Sequence, residues 1–357
     1  MFGAIMDRFS AAPAAWYFFG LARELRKGPI SKEMLGKLIV AYRTEAGRAV
    51  VMDARCSHLS ADLGCGSVVG DVIRCPFHHW EYGPDGACRR IPAEDQIPRF
   101  ARQRTYPVEE RHGLLFFFNG PEPLFPLPFF FDRLSQDFVA GKPFSFASDL
   151  DWYMVAANAF DGQHFQAVHD RRLTRPPKVD CPAKFARRIR FNAEVVGDSI
   201  FDRLLRRFVG GVVDISITCW GGPMVLVTGF FQKAESYLLI SLNPQGPLST
   251  VTSIIVFTQR KPGKPVRRLL EPISLWLRRI FTQGFMQDDR DRLHGVRYNP
   301  ATLMPSDQMM RDFFEWLEER HVDARTSRSR QSPCGVGANI ESNDLRPVHD
   351  NIAGPRP

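Results

Sequence analysis

The chain has 357 residues, 44% of them hydrophobic and 24% charged, which is the composition of a globular protein long enough for two domains. Its formal net charge of +8 fits an acidic electron-carrier protein or an acidic membrane surface. Nucleic acid is not the expected partner, because the Lys and Arg residues are scattered and form no nucleic-acid-binding motif. The seven Cys residues lack the dense spacing of a disulfide scaffold, so a reducing compartment is expected.

Residues 1–15 are predicted to be an N-terminal segment that precedes the first domain. The apolar patch at 11–20 follows Asp7 and precedes a basic run at 23–27, and this order is wrong for a signal peptide. No run approaches the roughly 18 apolar residues of a membrane-spanning helix. These observations predict a cytoplasmic protein.

Short strands and turns are predicted throughout residues 16–120. Two β-rich runs at 37–43 and 48–53 predict a hairpin, and the sequence Gly-Pro-Asp-Gly at 83–86 predicts a tight turn. An apolar run at 114–118 predicts a further strand. This part of the chain is therefore expected to be a compact all-β domain.

Two short motifs in this domain combine one thiol with one imidazole each. Cys56 and His58 form C-x-H, and Cys75 and His78 form C-x-x-H, with sixteen residues between the two halves. Two such loops can hold a [2Fe-2S] cluster from both sides, as in a Rieske centre, where two Cys bind one iron and two His bind the other. A structural zinc site is the alternative. It is less favoured because zinc motifs usually pair Cys with Cys and His with His.

The second half of the chain begins after a connector predicted for residues 121–148. Prolines in its first part, 121–131, argue against regular structure there. Residues 149–172 are predicted to be helical, and the sequence Thr-Arg-Pro-Pro at 174–177 ends the helix. Five strand-like runs follow, at 184–196, 211–220, 224–231, 236–242 and 250–259.

Helical patterns return at 266–296 and 307–319, and strands followed by helices predict an α+β domain over residues 149–322. Within the first of these helices, the amphipathic stretch 270–281 is predicted to be core-packed, which we favour over a membrane contact or a substrate entrance. Residues 323–357 are polar and are expected to form a flexible C-terminal tail.

A third motif, D-x2-H-x4-H, comprises Asp161, His164 and His169. Five residues of an ideal helix turn by about 500°, which leaves the two His side chains roughly 140° apart. They can meet at one metal only if the helix is wound wider or ends before His169. Non-heme Fe(II) sites use two His and one carboxylate, and the best supplier of that carboxylate is the pair Asp288 and Asp289.

Together these motifs resemble those of the Rieske non-heme iron oxygenases, in which C-P-x-H-x-W and D-x2-H-x4-H recur. The resemblance spans nearly all of the chain to about residue 320. It implies a terminal oxygenase α subunit with α+β architecture. An all-β Rieske domain would be inserted before or into a helix-grip catalytic domain with a curved antiparallel sheet. Residues 70–92 look similar to steroid-acting members, including ketosteroid hydroxylase oxygenases and cholesterol-desaturating enzymes.

The resemblance also implies roles for individual residues. Mononuclear Fe(II) would be held by His164, His169 and Asp289. The register of the stretch Gly-Val-Arg-Tyr at 295–298 favours Asp289 over Asp288. One departure is His294, where the family often has an acidic residue.

The resemblance implies that Asp161 is an electron bridge between subunits. It would link His164 of one chain to His78 or His58 of the next chain in a homotrimeric ring.

The implied function is that of an oxygenase supplied with electrons by other proteins. A ferredoxin, an NAD(P)H-dependent flavin reductase, or both would reduce the cluster, because the chain has no dinucleotide-binding motif of its own. The enzyme would use O2 to hydroxylate, demethylate or desaturate an apolar substrate of steroid-like, polycyclic or aromatic type. Two alternatives stay open, namely a Rieske-type electron-transfer protein without oxygenase activity and a zinc-stabilised interaction protein.

Overall fold

The chain folds, in a computed structural model, into antiparallel sheets connected by loops and helices. The structure describes the backbone of residues 9, 11–260 and 265–320, and the side chains of these residues outside 265–270. The predicted tail at 323–357 lies outside the described residues. In the helices of the described ranges, no segment has the length and apolarity needed to cross a bilayer.

The N-terminal half consists of short strands, two short 3-10 helices and the loops between them. In chain order the strands are β1 (Trp16–Leu21), β2 (Ile30–Met34), β3 (Lys37–Arg43), β4 (Ala49–Asp53), β5 (Ser67–Val69), β6 (Val72–Arg74), β7 (Glu81–Tyr82), β8 (Cys88–Arg90), β9 (Thr105–Tyr106), β10 (Val108–Arg111) and β11 (Leu114–Phe118). The 3-10 helices are Ala22–Lys27 and Leu63–Cys65.

Three sheets organise these strands, with the orders β1–β11–β10, β2–β3–β4–β9 and β5–β6–β7–β8. The predicted hairpin is confirmed as β3 and β4, with Gly47 at a φ of 85° in the turn, a conformation that favours glycine. The predicted turn at 83–86 joins β7 to β8. The two Cys-His motifs lie in the loops that follow β4 and β6, so paired strands hold both loops in place.

The C-terminal half contains the remaining strands and the helices. In chain order the elements are β12 (Phe138–Ala140), β13 (Phe144–Ser148), α1 (Trp152–Ala157), α2 (Gly162–Ala167), β14 (Arg171–Leu173), β15 (Lys178–Ala183), β16 (Ala186–Val195), α3 (Ile200–Phe208), β17 (Val212–Trp220), β18 (Met224–Phe231), β19 (Glu235–Gly246), β20 (Ser249–Gln259), α4 (Pro265–Arg292) and α5 (Gln308–Arg320). The 3-10 helices are Ser135–Asp137, Asn158–Phe160, Pro300–Thr302 and Pro305–Asp307.

A nine-stranded sheet is the centre of this half, with the order β12–β20–β19–β18–β17–β16–β14. In addition, β13 pairs with β20 and β15 pairs with β16. All five predicted strand runs are confirmed as β16 to β20, and both late helices are confirmed as α4 and α5. Because successive side chains of a strand point to opposite faces, the large sheet has two faces, and each is buried against a different part of the protein. One packs against α1, α2 and α5.

The other face of the large sheet packs against the N-terminal half. Phe18 of β1 and Phe116 of β11 share one core cluster with Leu226, Leu239 and Phe257 of the large sheet. The backbone N–H of Phe18 also donates to the hydroxyl of Ser241 at 3.0 Å. The two halves therefore share a continuous apolar core.

Three features of the C-terminal half differ from the sequence prediction. The predicted helix at 149–172 is broken into α1, a 3-10 turn and α2, and its last residues form β14. The connector predicted for 121–148 contains β12 and β13, because β20 offers them backbone partners. Helix α3 was not predicted, although Ser199 caps it by accepting from the N–H of Asp202 at 3.0 Å.

Candidate metal centres

The two Cys-His loops have the same backbone construction. In each loop the N–H of the Cys donates to the carbonyl five residues later, from Cys56 to Ala61 at 2.9 Å and from Cys75 to Trp80 at 2.8 Å. In each loop the fourth residue after the Cys has a left-handed φ, 60° at Ser60 and 58° at His79. The two loops therefore have equivalent backbone conformations.

The four predicted cluster ligands lie together, with thiols inside and imidazoles outside. Cys56 and Cys75 are buried, whereas His58 and His78 are exposed, with ring centroids 4.7 Å apart. Burial, as the largest influence, raises the pKa of the Cys75 thiol. The ring of Trp80 stacks on His58 at 4.6 Å with an interplanar angle of 4°. Such an arrangement suits a cluster whose His-bound iron faces the surface.

Sequence reasoning missed Tyr82 at this site. Its hydroxyl lies 3.1 Å from Sγ of Cys56 and 2.9 Å from the hydroxyl of Ser57. Burial, as the largest influence, raises the pKa of Tyr82 well above its usual range, which keeps the hydroxyl protonated and able to donate. Tyr82 is an ordinary strand residue in the sequence, so only the pairing of the two loops revealed its position.

The second group of predicted ligands also comes together. Nε2 of His164 and Nε2 of His169 lie 3.0 Å apart, and Oδ1 of Asp289 lies 2.9 Å from the former and 3.1 Å from the latter. All three residues are buried, and in the described part of the chain they form a group able to hold a metal ion. Asp288, the runner-up, is not a member of this group.

Local backbone geometry explains how His169 reaches His164. Helix α2 begins after Asp161, whose Oδ1 accepts from the N–H groups of Gln163 at 2.9 Å and His164 at 3.1 Å. The helix ends at Ala167, before His169, so the second of the two geometric alternatives is the one observed. The next residue, Asp170, has a φ of 52° and turns the chain into β14.

The polar atoms of this group fit a metal better than they fit one another. Oδ1 of Asp289 and Nδ1 of His169 are buried without a hydrogen-bond partner of acceptable geometry in the described residues. Burial would raise the pKa of Asp289, but contacts with His164 and His169 outweigh it and lower the pKa below its usual value. A buried carboxylate held ionised beside two imidazoles matches the ligand set of a non-heme Fe(II) site.

Three residues that were not predicted from the sequence surround the two imidazoles of this group. The side-chain amide of Asn158 lies 2.9 Å from Nε2 of His164. The ring of Phe285 stacks on His169 at 3.9 Å. The guanidinium of Arg171 donates to the carbonyl of His169 at 2.6 Å and pairs with Asp202 of α3 at 2.8 Å. These contacts hold His169 from two sides and tie α3 to the site.

A scan against protein families matches residues 15–101 to the Rieske [2Fe-2S] domain. The chain is 36% identical over 337 residues to the oxygenase component of 3-ketosteroid-9-alpha-monooxygenase from Mycolicibacterium smegmatis, covering 90% of this chain and 85% of that protein. It is 38% identical to aminopyrrolnitrin oxygenase PrnD of Pseudomonas fluorescens over 173 residues, which is 46% of this chain and about half, 47%, of that relative.

The fold also matches solved structures. The structure of NdmA from Pseudomonas putida CBB5 with caffeine superposes with a TM-score of 0.65 at 20% identity, covering 88% of this chain and 92% of NdmA. This likeness concerns the fold. All three comparisons agree with the two Cys-His motifs and the D-x2-H-x4-H motif of the sequence. The chain therefore belongs to the Rieske non-heme iron oxygenases, a family of oxidoreductases.

Proposed function

We propose that this protein hydroxylates a bulky apolar substrate, using a [2Fe-2S] cluster and a mononuclear Fe(II). Cys56, His58, Cys75 and His78 would hold the cluster, and His164, His169 and Asp289 would hold the single iron. The observation that carries the proposal is the convergence of the last three ligand atoms, all within 4.8 Å of one another in a buried group. A Rieske electron-transfer protein without oxygenase activity would not require that group.

When bound, the cluster supplies electrons and the mononuclear iron supplies oxygen activation. The protein would position these groups and exclude water. Phe285 covers one face of His169, while Arg171 fixes the backbone carbonyl of that residue. The side-chain amide of Asn158 contacts Nε2 of His164, the nitrogen that would bind the iron, so Asn158 borders the ligand group. The group would therefore be preorganised before substrate binds.

Asp161 is proposed to act across a subunit boundary. Its Oδ1 caps α2 and contacts His164 through the backbone N–H. We propose that the carboxylate also accepts a hydrogen bond from His58 or His78 of a neighbouring subunit in a homotrimer. The exposure of both cluster imidazoles supports this contact. A head-to-tail interface of this kind closes into a ring.

The proposed substrate is a steroid-like or other polycyclic apolar molecule. The relative aligned over 90% of this chain is named for its action on 3-ketosteroids. The aromatic ring of Phe285 stacks on His169, and Phe281 lies one helical turn earlier on α4, where it packs against Phe201. The proposed electron donors are a ferredoxin and a separate NAD(P)H-dependent reductase, which the net charge of +8 would attract if they are acidic.

Replacing Tyr82 with Phe is expected to lower the reduction potential of the cluster. Hydrogen bonds to the sulfurs stabilise the reduced cluster, because it carries more negative charge than the oxidised one. Losing one such bond should therefore lower the potential by an amount on the order of tens of millivolts. Redox titration followed by circular dichroism or absorption would measure the shift. Tyr17→Phe is the matched control, because Tyr17 is a buried tyrosine of β1 whose hydroxyl donates to the carbonyl of Pro13 at 3.0 Å. An unchanged potential in Tyr82→Phe would contradict the assigned hydrogen bond to Cys56.

The test of the proposed function combines metal analysis with turnover. Purified protein should contain about three irons and two labile sulfides per chain and show the electron paramagnetic resonance spectrum of a Rieske cluster. With a ferredoxin, its reductase and NADH, it should oxidise members of a panel of steroids and polycyclic aromatics. Two irons without substrate oxidation would identify an electron-transfer protein. Zinc without labile sulfide would exclude both functions.

A further inference from the structure

Helices α3 and α4 present a large apolar surface. On α3 the exposed side chains include Ile200 (63% exposed), Leu204 (40%) and Phe208 (67%), and on α4 they include Ile273 (54%), Trp276 (57%) and Leu277 (45%). Together with Phe201 we call these residues the α3–α4 face. The prediction that 270–281 is core-packed is therefore wrong. Among its described apolar side chains, only Leu275 is buried.

The apolar residues of the two helices adjoin each other. The ring of Phe201 on α3 packs edge-on against Phe281 on α4, with centroids 5.4 Å apart. Phe281 lies one helical turn after Leu277, so the exposed stripe of α4 continues directly into α3. Folded chains rarely expose contiguous apolar patches of this kind unless the patch binds a partner.

Most of the charged side chains beside this patch are basic. Among the described residues, the acid Asp198 ahead of α3 pairs with Arg206, and Glu271 lies on α4 beside Ile273. Arg203 and Arg207 are exposed on α3 and, by helical spacing, flank its apolar residues. The single acid of the helix, Asp202, is buried and paired with Arg171 at 2.8 Å. An amphipathic helix with bulky apolar residues on one side and Arg beside them is typical of helices that lie in the interface of an anionic bilayer.

The same helix leads from the exposed patch to the candidate iron site. At intervals of four residues, α4 carries Ile273, Leu277, Phe281, Phe285 and Asp289. The first two are exposed, Phe281 is half-buried, Phe285 stacks on His169, and Asp289 belongs to the ligand group. An apolar row therefore connects the α3–α4 face to the place where substrate would react.

We propose that the α3–α4 face docks on an anionic phospholipid membrane and that apolar substrate leaves the lipid along this row. The docking depends only on the surface, whereas the delivery of substrate rests on the function proposed above. A second copy of this chain on the same face is the competing occupant. It is less favoured because it would bring two basic surfaces together.

Vesicle flotation of the metal-loaded protein tests the docking. Wild-type protein should float with phosphatidylcholine vesicles that contain phosphatidylglycerol, and added salt should weaken the binding. Partitioning should fall by about 30-fold in a double variant, Arg203→Gln with Arg207→Gln, because each basic side chain contributes about one kcal/mol near an anionic surface. Phe208→Ser combined with Trp276→Ser should lose binding at least as strongly. Leu134→Ser, at a residue 64% exposed in the connector, is the control that should bind normally.

The outcomes separate docking from its alternatives. The proposal is overturned if wild-type protein ignores anionic vesicles or if the variants bind like wild type. A changed subunit number in the Phe208 and Trp276 variant, measured by light scattering, would assign the face to a second copy and also overturn it.

The delivery step is tested by turnover of a vesicle-held substrate, compared with the same substrate dispersed in cyclodextrin. The variants should be slower only with the vesicles, and equal turnover would overturn delivery. Binding to vesicles without turnover of any substrate would leave docking supported and would contradict the proposed oxygenase function instead.

Discussion

Replacing Asp289 with Ala is expected to remove the mononuclear iron and leave the cluster intact. The two remaining imidazoles, of His164 and His169, would hold the metal without a carboxylate to balance its charge. Iron content should fall from about three to about two per chain, while the Rieske spectrum persists. Turnover should fall by about 10²–10³-fold, since a catalytic metal contributes several kcal/mol to the stabilisation of the transition state.

Asp288→Ala is the matched control for this change. Asp288 is the neighbouring carboxylate on the same helix, but it is not part of the His164, His169 and Asp289 group. The control should keep about three irons per chain and near-normal turnover. If Asp288→Ala lost the iron while Asp289→Ala retained it, the assignment of the carboxylate ligand would be reversed.

Replacing Asp161 with Asn is expected to preserve both metals and to slow turnover by about 10–100-fold, the usual effect of removing a carboxylate that orients a ligand. Asn caps helices as well as Asp does, so α2 should remain folded. Single-turnover measurements of electron transfer from the reduced cluster should locate the defect in that step. Asp170→Asn is the control, because Asp170 is exposed, lies beside His169 and has a φ of 52° that Asn readily adopts.

A mixed-subunit experiment tests whether the transfer crosses a subunit boundary. Chains with Asp289→Ala retain a cluster and lack the mononuclear site, and chains with His58→Ala retain that site with a disabled cluster. Each variant alone should turn over at least about 10²-fold more slowly than wild type. Co-expressed with different affinity tags, they should form mixed rings in which an intact cluster adjoins an intact iron site, and activity should return. Mixed rings that stay inactive would contradict transfer between subunits.

Local motifs identified much of both candidate sites before the fold was considered. The Cys-His spacings need only short loops between paired strands, and alternating apolar residues predicted β16 to β20 because side chains in a strand alternate between faces. Helical patterns in the sequence located α4 and α5 in the same way. Tyr82, Asn158 and Phe285 escaped detection because their chemical roles depend on residues distant in sequence or across a chain turn.

Other features depended on tertiary contacts. Helix α3 carried local signals that the sequence analysis overlooked, namely the cap at Ser199 and basic residues in its last turn. The strands β12 and β13 had weak signals of their own and form because β20 provides backbone partners. The exposure of Trp276 also could not be deduced from the sequence. An amphipathic helix has the same pattern whether its apolar stripe packs on the core of its own chain or faces a partner.

The sequence by itself determined the membership of the family. It also predicted the four thiol and imidazole ligands of the cluster and the two His of the second site, because short spacings along the chain carry these features. It narrowed the carboxylate to Asp288 or Asp289, with family register favouring the latter. Only the tertiary structure placed Asp289 within 2.9 Å of His164. Adjacent residues on a helix point about 100° apart, so the docking of α4 against α2 decides which of them faces the imidazoles. The same docking decides which apolar residues of α4 remain exposed.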